Sequence, residues 1–408
     1  PQSPIPNPQS PIPNPQLSSY LYFQALYNTK NIFLFKKMSE GKDECYKHEL
    51  YTYVENEKDA DAVAWAWVNK EKVVKFPFKF PPLGPNEIRA NVLYVGLCHS
   101  DIFHVRDLWH NVMPTTYPLV PGHEFVCEVA EVGSNVKNFK KGEKVGFGTK
   151  RACCGTCAVC LSGDDELCSD AKDDLTYGRY FGGYATQVQQ PYDFFFKLPE
   201  NFKLNLGSPL FCAGITTFYP IQKYYKPGMK CAVVGIGGLG HLALKFLHKL
   251  GAYTVAFTTS EKKVQSLKEL GADEVIVSTK EEEMKNAVGK FDLLLYTVPS
   301  VDKFEMYLAT VAKKGTCVLL GVGENNDIKF NYFPLLKKEI KVVGSLVGPR
   351  GAIKNMINFC CEKDVYPICE EYDFDDLPKA FDKLENGKPH FRCVLNVKDY
   401  AEKHSLKK

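Results

Sequence analysis

Between positions 230 and 250 the chain passes from an apolar run, Cys231-Ala232-Val233-Val234, through Gly235-Ile236-Gly237-Gly238-Leu239-Gly240 into a segment of different period. There Leu242, Ala243, Phe246, Leu247 and Leu250 recur at the spacing of one helix face. Strand, tight turn and helix in that order leave few folds open. Glycines at the turn let it close and let backbone N–H groups approach a pyrophosphate at the positive end of the helix. A tight packing turn is the bland alternative, but the strand–turn–helix context favours dinucleotide binding by Gly235, Gly237, Gly238, Leu239 and Gly240. Further apolar runs at 254–257, 274–277, 292–297, 316–320 and 339–343, mostly followed by helical segments, predict a doubly wound parallel α/β sheet within 211–349.

Upstream the texture differs. Short alternating runs at 64–68, 88–95 and 126–132, punctuated by Gly and Pro, predict a β-rich domain over 62–210, to which the tail at 350–408 is expected to return. Residues 1–61 are set aside as an unassigned, partly low-complexity extension. Residues 1–14 are two copies of Pro-Gln-Ser-Pro-Ile-Pro-Asn, and 17–37 are aromatic-rich with no acidic residue. The second stretch reads either as a transit peptide or as sequence upstream of a start at Met38. The remaining length suffices for two cores, because 45% of the 408 residues are hydrophobic and 24% charged. A net charge of +3 supplies no electrostatic footprint for nucleic acid or an anionic membrane, and no apolar run is long enough to span a bilayer. A small-molecule partner is therefore expected. Fifteen cysteines, an odd number without an evident secretory signal, argue for a reducing compartment and a cytoplasmic location.

The most specific motif is Cys154-x2-Cys157-x2-Cys160-x7-Cys168. Four thiolates at this spacing can close a tetrahedral site with no place for water, the mark of structural zinc. Disulfides and a zinc-ribbon nucleic-acid module are the competing readings; compartment opposes the first and mild charge the second. Cys153 is read as a bystander. A catalytic zinc needs three ligands and an open position, for which Cys98, His123 and Cys212 are available. Spacing alone does not join them, since Cys212 also reads as a buried hydrophobe and His123 as a turn residue. At the end of the second strand, Thr258-Thr259-Ser260-Glu261-Lys262-Lys263 places hydroxyls and lysines where an NAD site normally carries a carboxylate. That substitution suits a 2′-phosphate, hence NADP.

Taken together, Gly96-Leu97-Cys98-His99-Ser100-Asp101, Val120-Pro121-Gly122-His123-Glu124, the four-cysteine run, Leu210-Phe211-Cys212-Ala213-Gly214, the glycine loop, Thr297-Val298-Pro299 and Gly344-Ser345 resemble the zinc-dependent medium-chain dehydrogenase/reductase family. The likeness is to its cinnamyl-alcohol dehydrogenase branch and covers about 62–397. It implies a GroES-like catalytic domain beside a Rossmann domain, two zinc ions per subunit, NADP(H), a homodimer, and reversible hydride transfer between a primary alcohol and its aldehyde. By the same resemblance Cys98, His123 and Cys212 bind the catalytic zinc, and Cys154, Cys157, Cys160 and Cys168 the structural one. Asp101 orients His123, Glu124 stands behind the metal, and Ser100 holds the substrate oxygen. His99 lies near the pyrophosphate, Thr258, Thr259 and Lys263 meet the 2′-phosphate, and Val298 and Ser345 border the cofactor. Two positions depart from the pattern. Phe103 occupies the place of the family's relay histidine, with His104 one residue late, and Asp173 stands where the branch carries a pocket tryptophan. A zinc-free quinone reductase of the same superfamily and a cofactor-binding protein without catalysis are the alternatives; the complete ligand set opposes both.

Overall fold

A computed structural model describes residues 47–171, 178–324, 327–387, 389–404 and 406. The proline-rich repeat and the aromatic-rich stretch read from the sequence lie outside the described residues, as does Asp173.

Strands β1 (Thr52–Tyr53), β2 (Ala62–Trp67) and β3 (Val73–Lys79) form a small antiparallel sheet in the order β1-β3-β2. Strands β4 (Glu87–Leu97), β5 (Phe125–Val132), β6 (Lys144–Phe147), β7 (Gln187–Pro191) and β8 (Phe196–Lys197) belong to a larger one. Trp67, Phe76, Phe78, Phe125, Phe147 and Phe181 fill the core beneath them, each no more than 2% exposed. Phe125 and Phe147 stack at 5.3 Å, a contact worth about 0.5–1.5 kcal/mol beyond the area it buries. β4 is the spine, pairing with β5 and β7. Its register on β5, with Val95 opposite Phe125, brings the residues just beyond Leu97 alongside those just before Phe125.

The second half is a six-stranded sheet. β9 (Lys230–Val234), β10 (Tyr253–Thr258), β11 (Glu274–Val277), β12 (Phe291–Tyr296), β13 (Val311–Leu319) and β14 (Lys341–Gly344) stand in the order β11-β10-β9-β12-β13-β14, all parallel. This is the doubly wound order, with its switch point at β9. Alternation along β9 sends Cys231 and Val233 into one core layer and Ala232 and Val234 into the other, so both faces are covered. The helices that matter below are α1 (His99–Val105), α2 (Ala213–Tyr224), α3 (Gly240–Lys249), α4 (Phe333–Lys338) and α5 (Arg350–Lys363). The chain then returns through β15 (Cys369–Asp373) and β16 (Arg392–Asn396), and β16 pairs antiparallel with β4.

Two boundaries differ from the sequence reading. β1 pairs with β3, and Tyr51 stacks on Phe181 at 4.1 Å, so the antiparallel half starts ahead of residue 62. A two-residue strand has no period to read. The return does not begin at 350 either. Ile353, Met356, Ile357 and Cys360 of α5 share a core with Ile215 and Phe218 of α2 and Val233 of β9. The chain crosses back only where β15 begins. Which core α5 joins depends on its packing against α2 and β9, a contact no local pattern encodes.

No helix among the described residues is long and apolar enough to cross a membrane. The fourteen described cysteines are free thiols.

Candidate functional site

Cys98 ends the run out of β4 and caps α1, its backbone N–H donating to Asp101 Oδ2 at 3.0 Å. Asp101 is fully buried and accepts three more hydrogen bonds, from Gly122 N (3.1 Å), His123 Nδ1 (3.1 Å) and Tyr184 Oη (2.7 Å). One carboxylate thus fixes the start of the helix, the turn before β5 and the imidazole. With Nδ1 donating to Asp101, Nε2 is the nitrogen left to ligate, the arrangement that orients metal-bound histidines. Ser100 Oγ lies 3.3 Å from that Nε2 and 3.1 Å from Cys98 Sγ. Cys212, at the entry to α2, completes the group: one donor atom each from Cys98, His123, Glu124 and Cys212 lies within 4.8 Å of the others. Hydrogen bonding with Cys212 draws the Cys98 thiol well below its ordinary pKa, and His123 adds to the effect. Two sulfurs and an imidazole nitrogen are a donor set suited to zinc.

Glu124 does not stand alone behind this group. Arg392, the first residue of β16, grips both of its carboxylate oxygens. Burial raises the Glu124 carboxyl to about 7, against the pull of Arg392. Arg392 also lines the cleft in front, so one guanidinium joins the metal-side carboxylate to the cofactor side. Neither Arg392 nor Tyr184 stands out in the sequence; their partners are 268 and 83 positions away.

In the lobe, Cys154 Sγ lies 3.9 Å from Cys160 Sγ and Cys157 Sγ 4.0 Å from Cys168 Sγ. Tetrahedral zinc with bonds of about 2.3 Å needs sulfurs roughly 3.8 Å apart. Backbone N–H groups of Thr156 and Cys157 donate to Cys154 Sγ and lower that thiol to about 6. All four donors fit a closed zinc site. Cys160→Ser is therefore expected to lose one zinc per chain and to lower the melting temperature, because metal binding there is folding energy. Unchanged zinc content by elemental analysis, with unchanged melting, would contradict the assignment.

Most of the residues expected to meet the cofactor line one cavity of about 670 Å³ that also reaches Cys98, Ser100 and Cys212. His99, Gly235, Gly237, Gly238, Leu239, Thr258, Thr259, Lys263 and Val298 face it. Gly240 lies just beyond, where a Cβ would collide with the Gly235 carbonyl oxygen, so only glycine lets α3 start this close to β9. A Cβ on Gly237 would meet nothing within 4 Å, which leaves backbone open to a phosphate group. Ser345 stands one residue before Leu346, which lines the cavity, and its Oγ is buried without a hydrogen-bond partner. Phe103 and Trp109 stack at 4.8 Å on the wall near Cys98. Trp109 is a further residue the sequence reading passed over, since nothing local marks a loop tryptophan as facing a cleft. His104 is 4% exposed, edge-on to Trp109, and does not line the cavity; burial lowers its pKa to about 4.

Residues 84–200 match the alcohol dehydrogenase GroES-like domain and residues 238–362 the zinc-binding dehydrogenase domain. The aldehyde reductase AdhA of Synechocystis sp. is 39% identical over 323 residues, 78% of this chain and 94% of that protein. The chain belongs to the zinc-binding alcohol dehydrogenase family. Among solved structures of this family, a cinnamyl alcohol dehydrogenase from Sorghum bicolor superposes with a TM-score of 0.77 at 31% identity, over 82% of this chain and 97% of that one. The cinnamyl alcohol dehydrogenase of Helicobacter pylori, complexed with NADP(H), gives 0.74 at 28%, over 83% and 98%. As a zinc-binding alcohol dehydrogenase, the chain is an oxidoreductase with a GroES-like half and a Rossmann half.

Proposed function

We propose that this protein is an NADP(H)-dependent aldehyde reductase that interconverts an aldehyde and its primary alcohol. One observation carries the reading: Cys98, Ser100 and Cys212 open onto the same cavity as the glycine loop and Thr258-Thr259. Zinc supplies Lewis acidity toward the substrate oxygen, and the nicotinamide supplies or accepts the hydride. The chain's own residues do the positioning. Cys98, His123 and Cys212 hold the metal, and Asp101 keeps His123 in the ligating tautomer. Ser100 Oγ, within reach of both Cys98 and His123, holds a proton toward the substrate oxygen. Phe103, Trp109 and Leu346 give the wall around that point an apolar surface. At the other end Thr258, Thr259 and Lys263 receive the 2′-phosphate, with His99 and the glycine-loop backbone on the pyrophosphate.

Support for the cofactor comes from the Helicobacter pylori relative complexed with NADP(H) and from the hydroxyls at the end of β10. NADPH should be preferred over NADH. Thr258→Asp should weaken NADPH by an order of magnitude or more by setting a carboxylate against the phosphate, while NADH loses far less. A wild-type protein that prefers NADH in fluorescence titrations would overturn the choice.

The proton route follows from the α1 helix. Phe103 offers no acceptor, and His104 faces the core, so the proton is exchanged with water rather than with His104. His104→Asn should leave the pH profile of alcohol oxidation unchanged. Phe103→His should accelerate it by roughly 100-fold, the lower end of general-base assistance. A crippled His104→Asn with a silent Phe103→His would reverse the assignment.

A homodimer and a cytoplasmic location complete the reading. β14 is an edge strand, and Tyr332, Phe333 and Leu336 on and beside α4 are more than 60% exposed, which suits pairing with a second copy. Free cysteines suit a reducing compartment.

A further inference from the structure

The four-cysteine lobe touches the cofactor half through two adjacent acidic residues. Asp165 lies in the short turn Asp165–Leu167 between Cys160 and Cys168 and is 8% exposed. Its Oδ2 accepts from Arg350 Nε at 2.9 Å and its Oδ1 from the Arg350 backbone N–H at 3.3 Å. The same guanidinium donates to the Asp193 carbonyl (3.5 Å), lies 3.6 Å from Cys153 Sγ and sits over the Phe194 ring. Next to it, Asp164 Oδ1 accepts from Tyr219 Oη of α2 at 3.1 Å. Arg350 opens α5, directly after the segment 345–349. That segment is clamped from behind: a Cβ on Gly348 would come within 2.8 Å of Tyr219 Cβ and 3.0 Å of Ile215 Cδ1.

Segment 345–349 carries Leu346 into the cavity and lies just past β14. With the glycine loop after β9 and Thr258 at the end of β10, the adenosine end occupies the β10 side. A dinucleotide laid across that switch point must send its nicotinamide toward β12, β13 and β14. We propose that the lobe, through Asp165 and Arg350, is a positioning device for the nicotinamide half of the cofactor cleft. Asp165 and Arg350 are positioning residues: they touch no reacting atom, and they act through Ser345 and Leu346. The inference rests on the NADP(H) reading above.

The test compares two ligands on the zinc-loaded protein, NADPH and adenosine 2′,5′-bisphosphate, the fragment without nicotinamide, by calorimetry. Arg350→Gln and the isosteric Asp165→Asn should each weaken NADPH about tenfold, the scale of one lost charge-assisted hydrogen bond, and leave the fragment unchanged. Arg350→Lys should fall between them and wild type, because it keeps charge but loses the fork. Zinc should stay at two per chain throughout. Equal weakening of both ligands, or unchanged NADPH affinity in Asp165→Asn, would overturn the proposal; should Arg350→Gln fail to fold, Asp165→Asn decides alone. A wild-type protein that binds neither ligand would instead sink the cofactor reading, and this inference with it.

Discussion

Cys212→Ala is expected to lower turnover about 10³-fold or more while NADPH affinity stays within about twofold of wild type. The first figure follows from losing a Lewis acid worth several kcal/mol in the transition state. The second follows from the proposed division of labour in the cleft, with Cys212 on the metal and the glycine loop and Thr258 on the cofactor. Zinc should fall from two per chain to one, because the lobe donors lie on a separate stretch of chain. Steady-state kinetics, fluorescence titration and elemental analysis on one preparation check all three. Full activity would return Cys212 to the role of a buried hydrophobe.

Arg392→Met should destabilise the fold strongly although it leaves Cys98, His123 and Cys212 in place. Arg392 and Glu124 are 6% and 0% exposed, and Arg392 Nη2 donates to both carboxylate oxygens. Removing one partner strands a buried carboxylate, at a cost of about 3–5 kcal/mol. In the zinc-free protein the sign of its pH dependence follows from Glu124. Burial already raises Glu124 above its unfolded value, to about 7, and loss of Arg392 raises it further. A carboxyl with a raised folded pKa favours the native state below the unfolded pKa and loses that advantage as pH rises through the folded one. The deficit in Arg392→Met should therefore be small near pH 4 and grow above pH 7 in thermal denaturation. Adding Glu124→Gln should recover part of it, since the stranded charge is then gone. A single variant as stable as wild type at pH 8 would show that the pair contributes little.

Local chemistry made part of this site legible from sequence. Glycines at a strand–helix turn and four cysteines at short spacing each form their structure within a few tens of residues, so the motif and the geometry are nearly the same statement. Cys98, His123 and Cys212 are different. Their meeting depends on the register of β4 against β5 and on where α2 begins, and only the family resemblance joined them before the structure did. Arg392, Tyr184 and Trp109 had no such route. Arg392 and Tyr184 are brought to the site by long-range contacts, Arg392 to Glu124 from β16 and Tyr184 to Asp101, while Trp109 stacks on nearby Phe103 without any local mark that it faces the cleft. The same holds for α5, whose place in the second core is decided by its contact with α2. His104 shows the limit from the other side: one residue of helical rotation separates the cleft wall at Phe103 from the interior.

The most direct measurement is NADPH oxidation by the purified, zinc-loaded protein on addition of an aldehyde, with NADH run in parallel. Aldehyde-dependent oxidation of NADPH, faster than that of NADH and abolished when zinc is removed by a chelator, is the predicted result. Oxidation that persists undiminished without zinc, or none with any aldehyde in a panel of aliphatic and aromatic members, would contradict the account.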